Sequence, residues 1–409
     1  MTQAVSREAV DYPLKGIRIL DFCWIGAGSF TTKLLADMGA DVIKVESSVY
    51  LDSLRNAPPF KDRIPGVNRS GYFADRNSSK RSLTIDMKHP EAREQILRLL
   101  AQVDVVTNNF TPGVMERFGL GYDAVRSVNP AIIYVAMSMQ GQDGPEANYL
   151  GYGLTIGALT GLHALSGLPG REPTGTGTNY PDHIPNPSHA AFAILAALRH
   201  RRRSGEGQLI DMAQTEPMIA MLGPAVTAAA AGMDLPLPDG NRHAPGVVQG
   251  VYPVAGSDRW IAISIADDDE WAAFQSVVGP FGAEWARQAD RLSGADALDR
   301  LIGEKTQGYE GRELAAALQA AGVVCGLVQT AADVIADAQL VHRGHWQRLG
   351  GGEAGEMLYN ASAYRFSRVP SNLRSAAPDL GQHTDEIAGD LLGMTAEEIR
   401  DARDRRLFN

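Results

Sequence analysis

Two cysteines, Cys23 and Cys325, are all that a chain of 409 residues contains, and no C-x-x-C spacing joins them. That scarcity excludes a disulfide framework, a zinc ribbon and a dithiol redox site, and it suits a reducing compartment. No cationic patch followed by an apolar run opens the chain, which passes Glu8 and Asp11 on its way to Pro13, so no secretory signal is expected and a cytoplasmic location is. The uncharged stretch at residues 217–233 is rich in Ala, Gly and Met and carries Pro224. It is too short and too weakly apolar to span a bilayer of roughly 30 Å, and it reads as a buried helix leading into a linker. A net charge of −10 disfavours non-specific attraction to nucleic acid. Neither G-x-S-x-G nor G-x-x-x-x-G-K-S/T occurs, which leaves two common hydrolase and nucleotidase readings without support. The nine histidines are scattered. His183 and His189 are spaced so that one helix face cannot hold both, and no metal site is expected.

What is present is an α/β pattern. The apolar run 17–22 reads as a buried strand, the turn Gly26-Ala27-Gly28 opens a helix ending at Gly39, and a second strand covers 41–45. The unit recurs as helix 90–102, strand 103–107, a helix at 112–118 and strand 131–137, the alternation of a parallel sheet with crossover helices. A glycine-rich stretch, 141–186, precedes a helix with Asn186 as its cap, Pro187 in its first position and the basic run Arg199 to Arg203 before Gly205 at its end. Residues 236–245, dense in Pro, Gly and Asp, read as a linker. Residues 1–235 are therefore expected to form a large domain and 236–345 a linker and small domain, with hairpin strands at 250–255 and 260–265 and a strand at 323–328. The segment 346–409, with a strand near 364–366 and a charged terminal helix, is expected to return to the large domain.

Several motifs admit two readings. The turn at Gly26-Ala27-Gly28, with Glu46 roughly 20 residues on, invites a dinucleotide site, but Thr31 stands where the third glycine of that fingerprint belongs. The basic run at 199–203 reads as a solvated helix end. Arg76, Lys80, Arg81 and Lys88 form a cluster that could meet an anion or be surface charge. Asp182, in Tyr180-Pro181-Asp182-His183, is either a turn residue or a carboxylate that a helix N-terminus keeps ionised as acceptor or nucleophile.

Five segments in register resemble the family III CoA-transferases, a group that includes formyl-CoA transferase, carnitine CoA-transferase and α-methylacyl-CoA racemase. They are LKGIRILD at 14–21, LADMGADVIKVE at 35–46, KRSLTIDMK at 80–88, NFTPG at 109–113 and GEGQ at 205–208. The resemblance implies a Rossmann-like large domain plus a small α/β domain, in chains threaded through each other as an interlocked dimer or paired with a related subunit. It implies a coenzyme A site lined by Ile25, Gly26, Ala27, Ile85, Asp86, Met87, Lys88, Asn109, Phe110, Thr111 and Arg117. Ser47 departs from the arginine that formyl-CoA transferase has after its strand-end glutamate.

By the same resemblance Asp182 is the catalytic nucleophile, attacking an acyl-CoA donor and passing CoA to a carboxylic acid acceptor without a metal or redox cofactor. Such covalent catalysis needs preorganised amides for each oxyanion, for which backbone near Gly240 or Gly246 is a candidate. The context 175–183 looks most like transferases for aromatic or bulky acids, such as benzylsuccinate types, with succinyl-CoA as donor. The racemase branch carries a histidine where this chain has Tyr152, and a phenol with a reference pKa near 10 is a poor base. A non-catalytic CoA-binding partner subunit is the remaining alternative, and the presence of Asp182 counts against it.

Overall fold

A computed structural model describes residues 11–235, 238–242, 248–370 and 373–409. The chain divides into two compact units, the first comprising 1–163, 175–234 and 339–409, the second 164–174 and 235–338.

The first unit is built on six strands: β1 (Arg18–Asp21), β2 (Asp41–Glu46), β3 (Arg81–Thr84), β4 (Val105–Asn108), β5 (Ile133–Ala136) and β6 (Gln208–Asp211). They lie in the order β3-β2-β1-β4-β5-β6 and every pair is parallel. This is the doubly wound order of a Rossmann-type sheet. Alternate residues of a strand point to opposite faces, and each face has its own apolar layer. Ile19, Val42, Val105 and Ile133 face the helices Ala27–Asp37 and Pro185–Ser204, through Leu35, Ala190 and Ile194. Leu20, Ile43, Val106 and Tyr134 face Ile96 and Leu99, together with Ile387, Ile399 and Phe408 from the last stretch of the chain. Burial on both faces explains why β1, β2, β4 and β5 carry apolar residues at consecutive positions.

Gly205 ends the helix Pro185–Ser204 with φ +79°, its N–H reaching the Arg201 carbonyl at 2.8 Å. Asn186 is not the cap of that helix. It lies inside the first turn, fully buried, and donates to Gln214 Oε1 at 3.4 Å. In the basic run, Arg201 is pinned by Asp104 at 2.5 Å while Arg199, Arg202 and Arg203 are exposed. The stretch 217–233 is not one buried helix. Gly223 and Pro224 split it into Thr215–Met221 and Gly223–Ala230, and the second of these buries none of its residues.

No strand covers 364–366, where Tyr364 meets Phe366 edge-on at 5.3 Å. The antiparallel hairpin of this segment lies earlier, as β10 (Trp346–Leu349) and β11 (Met357–Asn360).

The second unit is a three-stranded antiparallel sheet of β7 (Val248–Pro253), β8 (Trp260–Ile265) and β9 (Val324–Leu327). Its buried face, including Ile261 and Ile263, packs on Trp271, Phe274, Leu298, Ile302, Leu314 and Leu318 of the surrounding helices.

Candidate active site

In a doubly wound sheet the crevice for a ligand opens where strand order reverses, beyond the carboxyl ends of the two diverging strands. Here those strands are β1 and β4, and the loops leaving them are tied together. Trp24 N–H donates to Asn109 Oδ1 at 2.9 Å, and Asn109 Nδ2 returns a bond to the Trp24 carbonyl at 2.7 Å. Between them Ile25 adopts φ +61°, a conformation that costs a β-branched residue about 1–3 kcal/mol. Its N–H donates to Asp52 Oδ1 at 3.1 Å, and Asp52 is itself buried against Lys44 at 2.9 Å. The residue in the left-handed region is thus the isoleucine. Gly26 has φ −74° and is required for space: a Cβ there would lie 2.8 Å from Asp182 Cβ.

Asp182 sits on the one-turn helix Tyr180–His183 and is 3% exposed. Its Oδ2 accepts the Gly153 N–H at 3.2 Å, at the start of the helix Gly153–Leu159. Gly153 too must be bare, because a Cβ on it would lie 2.9 Å from that same oxygen. Burial pushes the carboxyl up to about 6, against the opposing pull of the Gly153 amide and of Arg76. A helix N-terminus that keeps this carboxylate ionised, one of the two readings of the residue, is opposed here by burial. One turn supplies little dipole, and desolvation outweighs it.

His183 is committed on both ring nitrogens, with Nδ1 3.1 Å from an Arg76 terminal nitrogen and Nε2 3.3 Å from the Tyr72 hydroxyl. Arginine only donates, so Nδ1 accepts and Nε2 carries the proton. Burial, reinforced by Arg76, pushes the imidazole down to about 4 and keeps it neutral. His189 is engaged elsewhere, its Nδ1 2.9 Å from the Pro185 carbonyl.

A cavity of about 340 Å³ opens beside this turn. Ile85, Asp86, Met87, Lys88 and Phe110 line it, together with Phe22, Trp24, Ser47, Tyr50, Val114 and Phe118. Trp24 meets Phe110 edge-on at 5.7 Å, and the exposed Lys88 lies 4.3 Å from the Tyr50 ring centre. Of the other residues singled out from the sequence, Ile25, Gly26 and Ala27 form the adjoining turn and the start of its helix, and Asn109 follows β4 and is tied to that turn at Trp24. Thr111 and Arg117 are not among the cavity's lining residues, and Arg117 is exposed at the end of the short helix Val114–Arg117. Ser47 Oγ accepts from Val49 N–H at 3.2 Å and from Asn409 Nδ2 at 3.3 Å.

Trp24, Tyr50 and Phe118 escaped sequence reasoning because isolated aromatics carry no spacing signal. Of the two oxyanion-donor candidates, Gly246 lies outside the described residues and Gly240 belongs to the second unit.

The four-cation cluster does not exist as a cluster. Lys80 is fully buried with Asp21 at 3.2 Å, Arg81 binds Asp41 at 2.6 Å, Lys88 borders the cavity, and Arg76 stands by His183. Glu46 is likewise unavailable as a ribose ligand. Arg55 holds both of its oxygens, at 2.8 and 2.7 Å, and Ser82 adds a third bond at 2.7 Å. Thr31 turns its hydroxyl back onto the Ala27 carbonyl at 2.8 Å, so neither half of the dinucleotide fingerprint is in place.

A doubly wound α/β unit with a buried carboxylate at its switch point, next to an aromatic cleft, defines a ligand-binding enzyme frame. The chain belongs to CoA-transferase family III, whose model matches residues 14–384. Over 99% of its length it is 30% identical to succinyl-CoA–D-citramalate CoA-transferase of Chloroflexus aurantiacus, all of which it covers. It is 33% identical, over 95% of its length, to a probable CoA-transferase of Mycobacterium tuberculosis, and it spans about half (49%) of that relative. A crystal structure of a CAIB/BAIF family protein from Brucella suis superposes with a TM-score of 0.85 at 33% identity, covering 93% of this chain and 99% of the other.

Proposed function

We propose that this chain moves coenzyme A from an acyl-CoA donor, succinyl-CoA in the first instance, to an organic carboxylic acid, with Asp182 as the covalent carrier. The observation that carries this reading is the Asp182 carboxylate, buried to 3% exposure, accepting the Gly153 N–H, with Gly26 and Gly153 leaving the room it occupies. Asp182 attacks the donor thioester carbonyl, the carbon–sulfur bond breaks, and a mixed anhydride and CoA thiolate result. The thiolate attacks the aspartyl carbonyl and expels the donor acid, leaving an aspartyl-CoA thioester. The acceptor carboxylate then attacks that thioester and the steps run in reverse, releasing the new acyl-CoA and the free carboxylate. Water would hydrolyse either intermediate, so burial serves the chemistry as well as the acidity.

Coenzyme A is assigned to the cavity, with Trp24 and Phe110 offering aromatic surface and Lys88 a cation for phosphate. Its thioester end would follow the turn 24–27 from Trp24 to Gly26. The succinyl donor named for the Chloroflexus relative supports the choice of donor. Exposed Leu150, Phe192 and Val226 support association with a second copy or a related subunit. Tyr152, 63% exposed, gives the racemase alternative no base.

The test is intact-protein mass after incubation with succinyl-CoA and trapping by hydroxylamine or borohydride. A modified aspartate at 182 that vanishes in Asp182→Ala is the expected result. No modification with any of several acyl-CoA donors would overturn the reading.

A further inference from the structure

The Arg76 guanidinium is held by two rings, a carboxylate and an imidazole. It lies 4.4 Å from the centre of the Phe30 ring and 5.7 Å from that of Tyr72. One terminal nitrogen pairs with Asp75, whose other oxygen accepts Asn360 Nδ2 at 2.5 Å. The other terminal nitrogen donates to His183, the residue after Asp182, at 3.1 Å. Its Nε is buried and meets no acceptor among the described residues. The side chain is only 14% exposed, and its charge is felt at Asp182.

A buried donor without an acceptor is costly to fold, and the acceptor that suits a planar guanidinium edge is a carboxylate. The reacting carboxyl of an acid must reach Asp182, so an anion meeting Arg76 would belong to a second group on the same substrate. Stacking on two rings and anchoring by His183 fix the guanidinium beforehand, so little rotamer freedom is lost on binding.

We propose that Arg76 is a specificity-determining residue that receives the distal carboxylate of dicarboxylic substrates, so that this site selects them over monocarboxylic ones. The inference rests on the transferase reading above and adds the group that reads the acid. His183 and Tyr72 act as positioning residues that aim the guanidinium.

Succinyl-CoA and butyryl-CoA, equal in chain length with a methyl in place of the carboxylate, are the probes. The wild type is expected to favour succinyl-CoA in kcat/KM by about a hundredfold, the scale of a desolvated charge pair. Arg76→Gln should bring that ratio below about tenfold, with Arg76→Lys between the two because it keeps the charge and loses the planar fork. If Arg76→Gln does not fold, Arg76→Lys must still narrow the ratio. Equal slowing of both donors, an unchanged ratio, or no preference in the wild type would overturn the proposal. Dissociation constants of the two thioesters for Asp182→Asn, with and without Arg76→Gln, decide it even if the wild type turns over neither donor. In that event transfer through Asp182 fails, while an Arg76-dependent binding ratio still stands or falls by itself.

Discussion

The turn that leaves β1 divides two unlike regions. On the Trp24 side lies an open cavity with aromatic walls and an exposed lysine at its edge. On the Gly26 side lies a tight polar pocket in which Asp182, His183, Tyr72 and Arg76 are pinned by one another and by bare backbone. The cavity offers area and a screened charge, whereas the pocket offers fixed geometry at reduced hydration. Substitutions in the cavity should therefore act on binding, and those in the pocket on chemistry.

The sharpest break is at Asp182 itself. Asp182→Ala should lower kcat by at least about 10⁴-fold, the scale for loss of a covalent nucleophile, with acyl-CoA binding retained in a direct binding measurement. The same carboxyl also has a stability signature. Its folded pKa of about 6 lies above the unfolded value near 3.9, so the folded state binds the proton more tightly. The group's contribution is full below about pH 4 and is lost as pH rises through 6. Asp182→Asn should consequently be more stable than the wild type at pH 8, by at most about 3 kcal/mol. Denaturation midpoints that fail to separate between pH 4 and 8 would remove burial as the cause of the shift. Turnover should fall about tenfold per pH unit below 6, because only the anion attacks.

Gly153→Ala comes next. Its Cβ would intrude to 2.9 Å from the nucleophilic oxygen and displace the amide that holds it. A loss of about 10²- to 10³-fold in kcat is expected, the scale of a misplaced oxyanion donor, with KM for acyl-CoA changed little. A loss confined to KM would mean that the two regions are not separate in function.

How much of this division the sequence carries depends on how each part is encoded. Strands β1, β2, β4 and β5 each carry adjacent apolar residues within stretches bounded by turn or helix signals and are legible directly. Strands β3 and β6 are not: RSLT holds a single apolar residue, and QLID follows directly on the glycine turn at 205–207, and both become strands by pairing with neighbours already in place. The cavity is half legible, since Ile85 to Lys88 stand in one unbroken segment. The pocket is assembled from Gly26, Arg76, Gly153 and Asp182, dispersed along the chain, and no local pattern joins them. Asp182 could be picked out only through family resemblance, and Arg76 was hidden inside a run of cations that folding scatters to four places. The glycine turn reads from the sequence as a strand-to-helix turn that could border a nucleotide; in the fold Ile25 takes the strained dihedral and Gly26 provides the clearance for Asp182.

Trp24→Ala tests the cavity side. It removes an indole that meets Phe110 and lines the cleft, and a rise of about 10- to 30-fold in KM for acyl-CoA is expected with kcat within about threefold. Collapse of kcat would show that the turn transmits damage to Gly26 and that cavity and pocket act as one unit.

The smallest effect belongs to Lys88. It is exposed and leans on the Tyr50 ring, so water and salt screen whatever phosphate it meets. Lys88→Gln should raise KM by about three- to tenfold at low ionic strength, and the difference from the wild type should shrink towards nothing near 0.5 M salt, where the screening length is only a few ångströms. A difference that survives high salt would mean that the ammonium is desolvated when substrate binds and that the cavity closes over it. In that case Lys88 would resemble Arg76 in kind, and the cavity would share the buried character of the pocket.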